Sequence, residues 1–145
     1  MPVLSDYEVV TGNSVIRVAK GKSFSAQFNS GGRESKLTAF LTLDLQSMQM
    51  VKEAVSIIKI NGKEIGSLQP PLGPYMDNSL RGKLGGIWLN QTVSFPGSIL
   101  NDGDNTIVID VPPTKTGTDT FYIKNVVVFF RQDAKGVVDQ LKDLI

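Results

Sequence analysis

Along most of the chain apolar and polar residues alternate with a period of two, the mark of half-buried strands. In SFSAQFN, residues 23 to 29, Phe24, Ala26 and Phe28 fall on one side and Ser23, Ser25 and Gln27 on the other. KLTAFLTLDL, residues 36 to 45, sets Leu37, Ala39, Leu41, Leu43 and Leu45 on a single face. A shorter strand is predicted in SVIRVAKG, residues 14 to 21, ending at a glycine turn. VSIIKI runs into Asn61-Gly62 and KEIGSL returns, so residues 55 to 68 read as a β-hairpin. Both central residues of a type I′ turn need positive φ, which Asn and Gly tolerate best.

In IWLNQTVSFP, residues 87 to 96, Trp88, Asn90, Thr92 and Ser94 alternate with Ile87, Leu89, Gln91, Val93 and Phe95. GSILNDGDN is a turn, and NTIVIDV a strand with Ile107 and Ile109 facing one way. The closing run FYIKNVVVFFR is the most apolar and is predicted to be a central strand, with Phe121, Tyr122, Phe129 and Phe130 in the core. QSMQMVKEA fits either a loop or one helical turn. Seven to nine short strands separated by turn signals predict an all-β fold, an antiparallel β-sandwich or jelly roll.

Two stretches break the alternation. In the tail, Val137, Leu141, Leu144 and Ile145 recur at helical spacing between charges, which predicts a short C-terminal amphipathic helix. The expected organisation is a sandwich over residues 1–134 and this helix over 135–145. The helix packs on the sandwich or frays, meets a partner chain or a second copy, or leads toward another domain. The other stretch is QPPLGPYMDNSLRGKLGG, residues 69 to 86, rich in Pro and Gly. A loop this long inside a compact domain tends to be functional.

Composition removes several function classes. With 15 basic and 14 acidic residues the net charge is +1, so no cation excess points to nucleic acid. There is no histidine and no cysteine. Catalytic triads, imidazole ligands, thiolate metal sites and disulfides are therefore excluded. No apolar run is long enough for a membrane-spanning helix. The first residues, MPVLSDYEVV, lack the basic and apolar regions of a secretory signal, which predicts a cytoplasmic protein unless a leader has been removed.

Taken in order, the INGKEIG hairpin, the DNSLRGKLGGIW loop, VSFPGSILNDGDNTIVIDV and the closing DTFYIKNVVVFFR resemble the galactose-binding-like jelly-roll family. They are most similar to the carbohydrate-binding-module-like C-terminal domain of rhamnogalacturonan lyases. The shared features are the Asn-Gly hairpin, the loop with Asp77, Asn78 and Arg81, the Phe95-Pro96 edge, and the turn with Gly103, Asn105 and Ile107. The resemblance covers roughly residues 23 to 131 and none of a lyase's catalytic domain. It implies a sandwich whose relatives often bind sugars.

That implication selects candidate residues. A pyranose presents an apolar C–H face that an aromatic ring can cover. Trp88 is the single tryptophan, and Tyr75 lies in the long loop before it. Asp77, Asn78, Arg81 and Asn90 supply hydrogen-bonding groups for hydroxyls or a uronic-acid carboxylate. The structural alternative places Trp88 between the sheets and uses Arg81 to pin its loop. Asp102, Asp104 and Asn105 have oxygen ligands close enough in sequence for one structural calcium ion, but the same residues serve turn geometry. No other cofactor is expected. Paired carboxylates at glycosidase spacing are not marked, and neither Lys83 nor Lys124 is marked as a base. The expected function is a non-catalytic carbohydrate-binding module of the galactose-binding-like type, with a structural or assembly protein that uses the jelly-roll sandwich for protein–protein contacts as the alternative.

Overall fold

The computed structural model describes residues 3–18, 23–30, 37–46, 56–68, 88–110 and 121–133. These form nine strands: β1 (Val3–Val9), β2 (Ile16–Val18), β3 (Ser23–Asn29), β4 (Thr38–Gln46), β5 (Ile57–Ile60), β6 (Lys63–Ser67), β7 (Leu89–Pro96), β8 (Asp104–Asp110) and β9 (Phe121–Asp133). One 3-10 turn, Gly97–Ile99, follows β7. The predicted tail helix over 135–145 and the stretch QSMQMVKEA lie outside the described residues.

The strands pair into two antiparallel sheets. One has the order β1-β9-β4-β7, with β2 also on β9, and the other β3-β8-β5-β6. β1 and β2 run along the same edge of β9 in succession, β1 against Val127–Asp133 and β2 against Phe121–Ile123. β9 is thus central, as its apolar run predicts.

The period-two pattern translates directly into the core. Ala39, Leu41, Leu43 and Leu45 of β4, Ile58 and Ile60 of β5, and Ile107 and Ile109 of β8 are all buried between the sheets. Fully burying one of these Leu or Ile side chains contributes about 1.5 to 3 kcal/mol. Leu37 departs from its predicted face. It lies one residue before β4, is 41% exposed, and offers its carbonyl to the Gly97 N–H. Outside the strand, alternation no longer fixes its direction.

The hairpin forms where it is expected. Asn61 (φ 53°) and Gly62 (φ 80°) both take left-handed conformations, and the Leu68 N–H to Ser56 carbonyl bond closes the base. Ile65 is an extra residue on β6, where the register shifts opposite Ile58 and Lys59. At this edge the sheets approach closely: a Cβ on Gly66 would sit 2.9 Å from Val93 Cγ1.

Candidate functional site

The two turns singled out by the sequence are held together by side chains. Asn105 is 1% exposed and its carboxamide is fully used. Its oxygen accepts from Asn61 Nδ2 at 2.8 Å and from the Asn101 N–H at 2.7 Å. Its nitrogen donates to Ser30 Oγ at 2.8 Å and the Gly103 carbonyl at 2.9 Å. Asn61 also donates to the Ile99 carbonyl and accepts from the Thr106 N–H. Buried polar groups are tolerated when paired in this way. The Asn105 oxygen, one of the candidate calcium ligands, is thus held by two N–H donors. Among the described residues no group of three or more acidic side chains gathers at a metal-binding distance.

The chemistry-bearing surface lies elsewhere, on the outer face of the five-stranded sheet. Its shape depends on a bulge in β9. Thr42 pairs with Val127 but Asp44 pairs with Lys124, so Asn125 and Val126 together oppose Leu43. Asn125 takes φ 52°, a left-handed conformation that Asn adopts more readily than most residues. The extra residue inverts the alternation. Phe121 and Ile123 point inward before the bulge, and Val126, Val128 and Phe130 after it. Two aromatic residues assigned to the core by the sequence lie on the outer side, Phe129 because of the bulge and Tyr122 by ordinary alternation with Phe121 and Ile123. Tyr122 is half-buried and Phe129 is 42% exposed. Bulges commonly re-aim side chains in this way beside functional surfaces.

The same bulge assembles a cluster at one end of the face. Asp44 is opposite Asn90 of β7 on one side and Lys124 of β9 on the other. Asn125 Nδ2 donates to Asp44 Oδ2 at 2.9 Å, and Asn90 Nδ2 donates to Asp44 Oδ1 at 3.2 Å. Lys124 places Nζ 4.3 Å from the ring centroid of Trp88. Trp88 is half-buried and immediately precedes β7. A cation–π contact on a solvent-accessible surface contributes about 0.5 to 1 kcal/mol, little enough for a ligand to displace or share. In the next row Gln46, Tyr122 and Arg17 align across β4, β9 and β2.

Of the predicted site residues, Trp88 and Asn90 thus share this face. Tyr75, Asp77, Asn78 and Arg81 lie outside the described residues. The sequence pattern does not mark Asp44, Asn125 or Arg17, it places Tyr122 in the core, and it does not mark Lys124 as a base. The available signal was the Lys124-Asn125 pair interrupting an otherwise apolar strand.

Farther along the face a second row crosses three strands. Phe40 pairs with Phe129, and Phe129 with Tyr7. Phe40 is 43% and Tyr7 59% exposed, and the Tyr7 and Phe129 ring centroids are 6.0 Å apart. Val9, 54% exposed, extends the apolar surface. Among the described residues no helix is long and apolar enough to cross a membrane.

No family model matches the chain, and no curated protein matches it in sequence. Solved structures do share its fold. A β-porphyranase of glycoside hydrolase family 86 from the human gut bacterium Bacteroides plebeius superposes with a TM-score of 0.57 at 16% identity, over 90% of this chain and 21% of that one. Dimeric latent PorU from Porphyromonas gingivalis gives 0.61 at 12% identity, over 92% of this chain and 13% of that one. A family 35 carbohydrate-binding module from an environmental isolate gives 0.47 at 14% identity, over 88% of this chain and 96% of that one. The chain spans about a fifth of the family 86 enzyme and less of PorU. The first two likenesses establish a β-sandwich that recurs as a part of larger proteins.

Proposed function

We propose that the chain is a non-catalytic carbohydrate-binding module of the jelly-roll, galactose-binding-like type, which takes pectic or galactose-containing glycans at the Trp88 end of the five-stranded sheet. The chain passes repeatedly from one sheet to the other, from β2 to β3, β3 to β4 and β4 to β5, which supports the jelly-roll reading. The observation that carries the function is the company Trp88 keeps. A half-buried indole lies beside an ammonium group, and a carboxylate is anchored nearby by two carboxamides. An apolar ring bordered by fixed hydrogen-bonding groups suits a sugar, which has an apolar face and a polar edge. Tyr75, Asp77, Asn78 and Arg81, which precede Trp88 in the sequence, complete the site in this proposal. Hydrolysis of a glycoside needs two carboxyl groups about 5 to 10 Å apart. Asp44 is the one carboxylate among the described side chains of this face, and its oxygens hold structural bonds.

The test is the fluorescence of Trp88 during titration with pectic and galactose-containing oligosaccharides. A saturable shift, weakened in a folded Asn90→Ala variant that keeps the indole, supports the module. A flat response to every sugar removes it.

A second reading, assembly through protein contacts, is favoured by the row Phe40, Phe129 and Tyr7. Exposed contiguous apolar side chains on a sheet face mark interaction surfaces. In that reading a second copy covers the row, and solution mass decides.

A further inference from the structure

We infer that the Trp88 end of the face selects acidic glycans, with an anionic group of the ligand received by Lys124 beside Trp88 and Arg17 adding positive charge from the other side of β9. The inference rests on the carbohydrate-binding reading and specifies its ligand class.

Charge is segregated in a chain that is nearly neutral as a whole. The net charge is +1, yet the described side chains of the outer face include Arg17, Lys124 and Arg131 against Asp44 alone. Arg131 donates to Ser5 Oγ at the far end of the face. Arg17 and Lys124 remain at the near end. Among the described residues neither has a carboxylate within ion-pair distance.

The cross-strand partner expected to neutralise Lys124 is committed elsewhere. Asp44 sits opposite Lys124, but its two oxygens accept from Asn90 and Asn125. The ammonium is directed over Trp88 instead. A positive charge is thereby presented at the aromatic surface where a sugar ring would lie.

Register supplies the second cation. Arg17 pairs directly with Tyr122, and Lys124 is two residues beyond Tyr122 on the same face. Diagonal positions of this kind lie about 7 to 8 Å apart at Cα; with the ammonium over Trp88 on the β7 side, Arg17 acts from the opposite edge of β9. A guanidinium binds planar oxyanions through two parallel bonds, and an ammonium adds a point charge. A carboxylate of a uronic acid or a sulfate ester presents that chemistry. Neutral sugars would have to displace Lys124 from Trp88 without using its charge.

Calorimetric titration of the intact chain tests this with three probes: an oligogalacturonate, a sulfated galacto-oligosaccharide and a neutral galacto-oligosaccharide. At least one acidic probe is expected to bind about tenfold or more tightly than the neutral one, a difference of about 1.4 kcal/mol. The preference should weaken with salt, and fall away in Lys124→Gln and Arg17→Gln. Lys124→Arg should restore part of it. The uronate and sulfate arms identify which anion is read. If neutral and acidic probes bind alike, and both Gln variants leave affinity unchanged, the inference falls while the carbohydrate module stands. If the wild-type chain binds none of the probes, both fall.

Discussion

The side-chain nitrogen of Asn61 donates to the side-chain oxygen of Asn105 over 2.8 Å, joining two turns 44 positions apart in sequence. The β5–β6 hairpin is thus tied to the turn before β8. Asn105→Ala removes the shared partner and leaves several buried groups unsatisfied. It is expected to destabilise the fold by about 2 to 4 kcal/mol, since each orphaned buried group costs about 1 to 3 kcal/mol. Chemical denaturation of Asn61→Ala, Asn105→Ala and the double variant should give strongly non-additive losses. Additive losses would mean that the turns are stabilised independently.

The bulge in β9 makes a prediction about neighbouring residues. Phe130 is 4% exposed and Phe129 42%. Phe130→Ala is expected to cost about 3 to 5 kcal/mol, as core phenylalanines do, and Phe129→Ala much less. Equal losses on thermal or chemical unfolding would contradict the inverted alternation.

How far this was legible in the sequence follows from the same bulge. The core strands β3, β4, β5 and β8 were legible because one face of each is buried and carries the apolar residues. β9 was legible as a strand, but its faces beyond Asn125 were not. Strict alternation fails when one residue is inserted, which turns Phe129 outward; Tyr122 is misplaced because apolar character alone, without alternation, puts adjacent aromatics on one side. β1 was missed for a related reason. Its apolar residues Tyr7 and Val9 are on the outer side, while Asp6 and Glu8 take the opposite phase. The site was legible only through Trp88 and Asn90. Asp44, Arg17 and Lys124 are brought near them by long-range pairing that local pattern does not record.

At Asn125 the backbone itself is the constraint. Asn125→Gly keeps the left-handed conformation but loses the bond to Asp44, whereas Asn125→Ala loses both. The Ala variant is expected to be less stable than the Gly variant by about 1 kcal/mol, the usual left-handed penalty for a residue with Cβ. Both should weaken glycan binding, because Asp44 loses an anchor. Unchanged affinity in both would detach the bulge from the site.

Gly66 tests the close approach of the sheets. A methyl at this position meets Val93 Cγ1 at 2.9 Å, so Gly66→Ala should cost about 1 to 3 kcal/mol by overpacking. Val93→Ala in the same chain should recover part of that loss. Absence of any coupling in unfolding experiments would show that the edge strands yield freely.

The assembly reading has its own outcome. If a second copy covers the aromatic row, Phe129→Ser should convert a dimer into a monomer in sedimentation equilibrium, with the fold retained. A wild-type chain that stays monomeric at high concentration would leave Phe40, Phe129 and Tyr7 without that role.

The most direct test of the central claim is amide chemical-shift mapping of the isotope-labelled chain during titration with an acidic galacturonate oligomer. The account predicts saturable shifts confined to Trp88, Asn90, Asp44, Tyr122, Lys124 and Arg17 and their neighbours on β2, β4, β7 and β9. Shifts centred on β3, β5, β6 and β8, or no shifts at all, would contradict it.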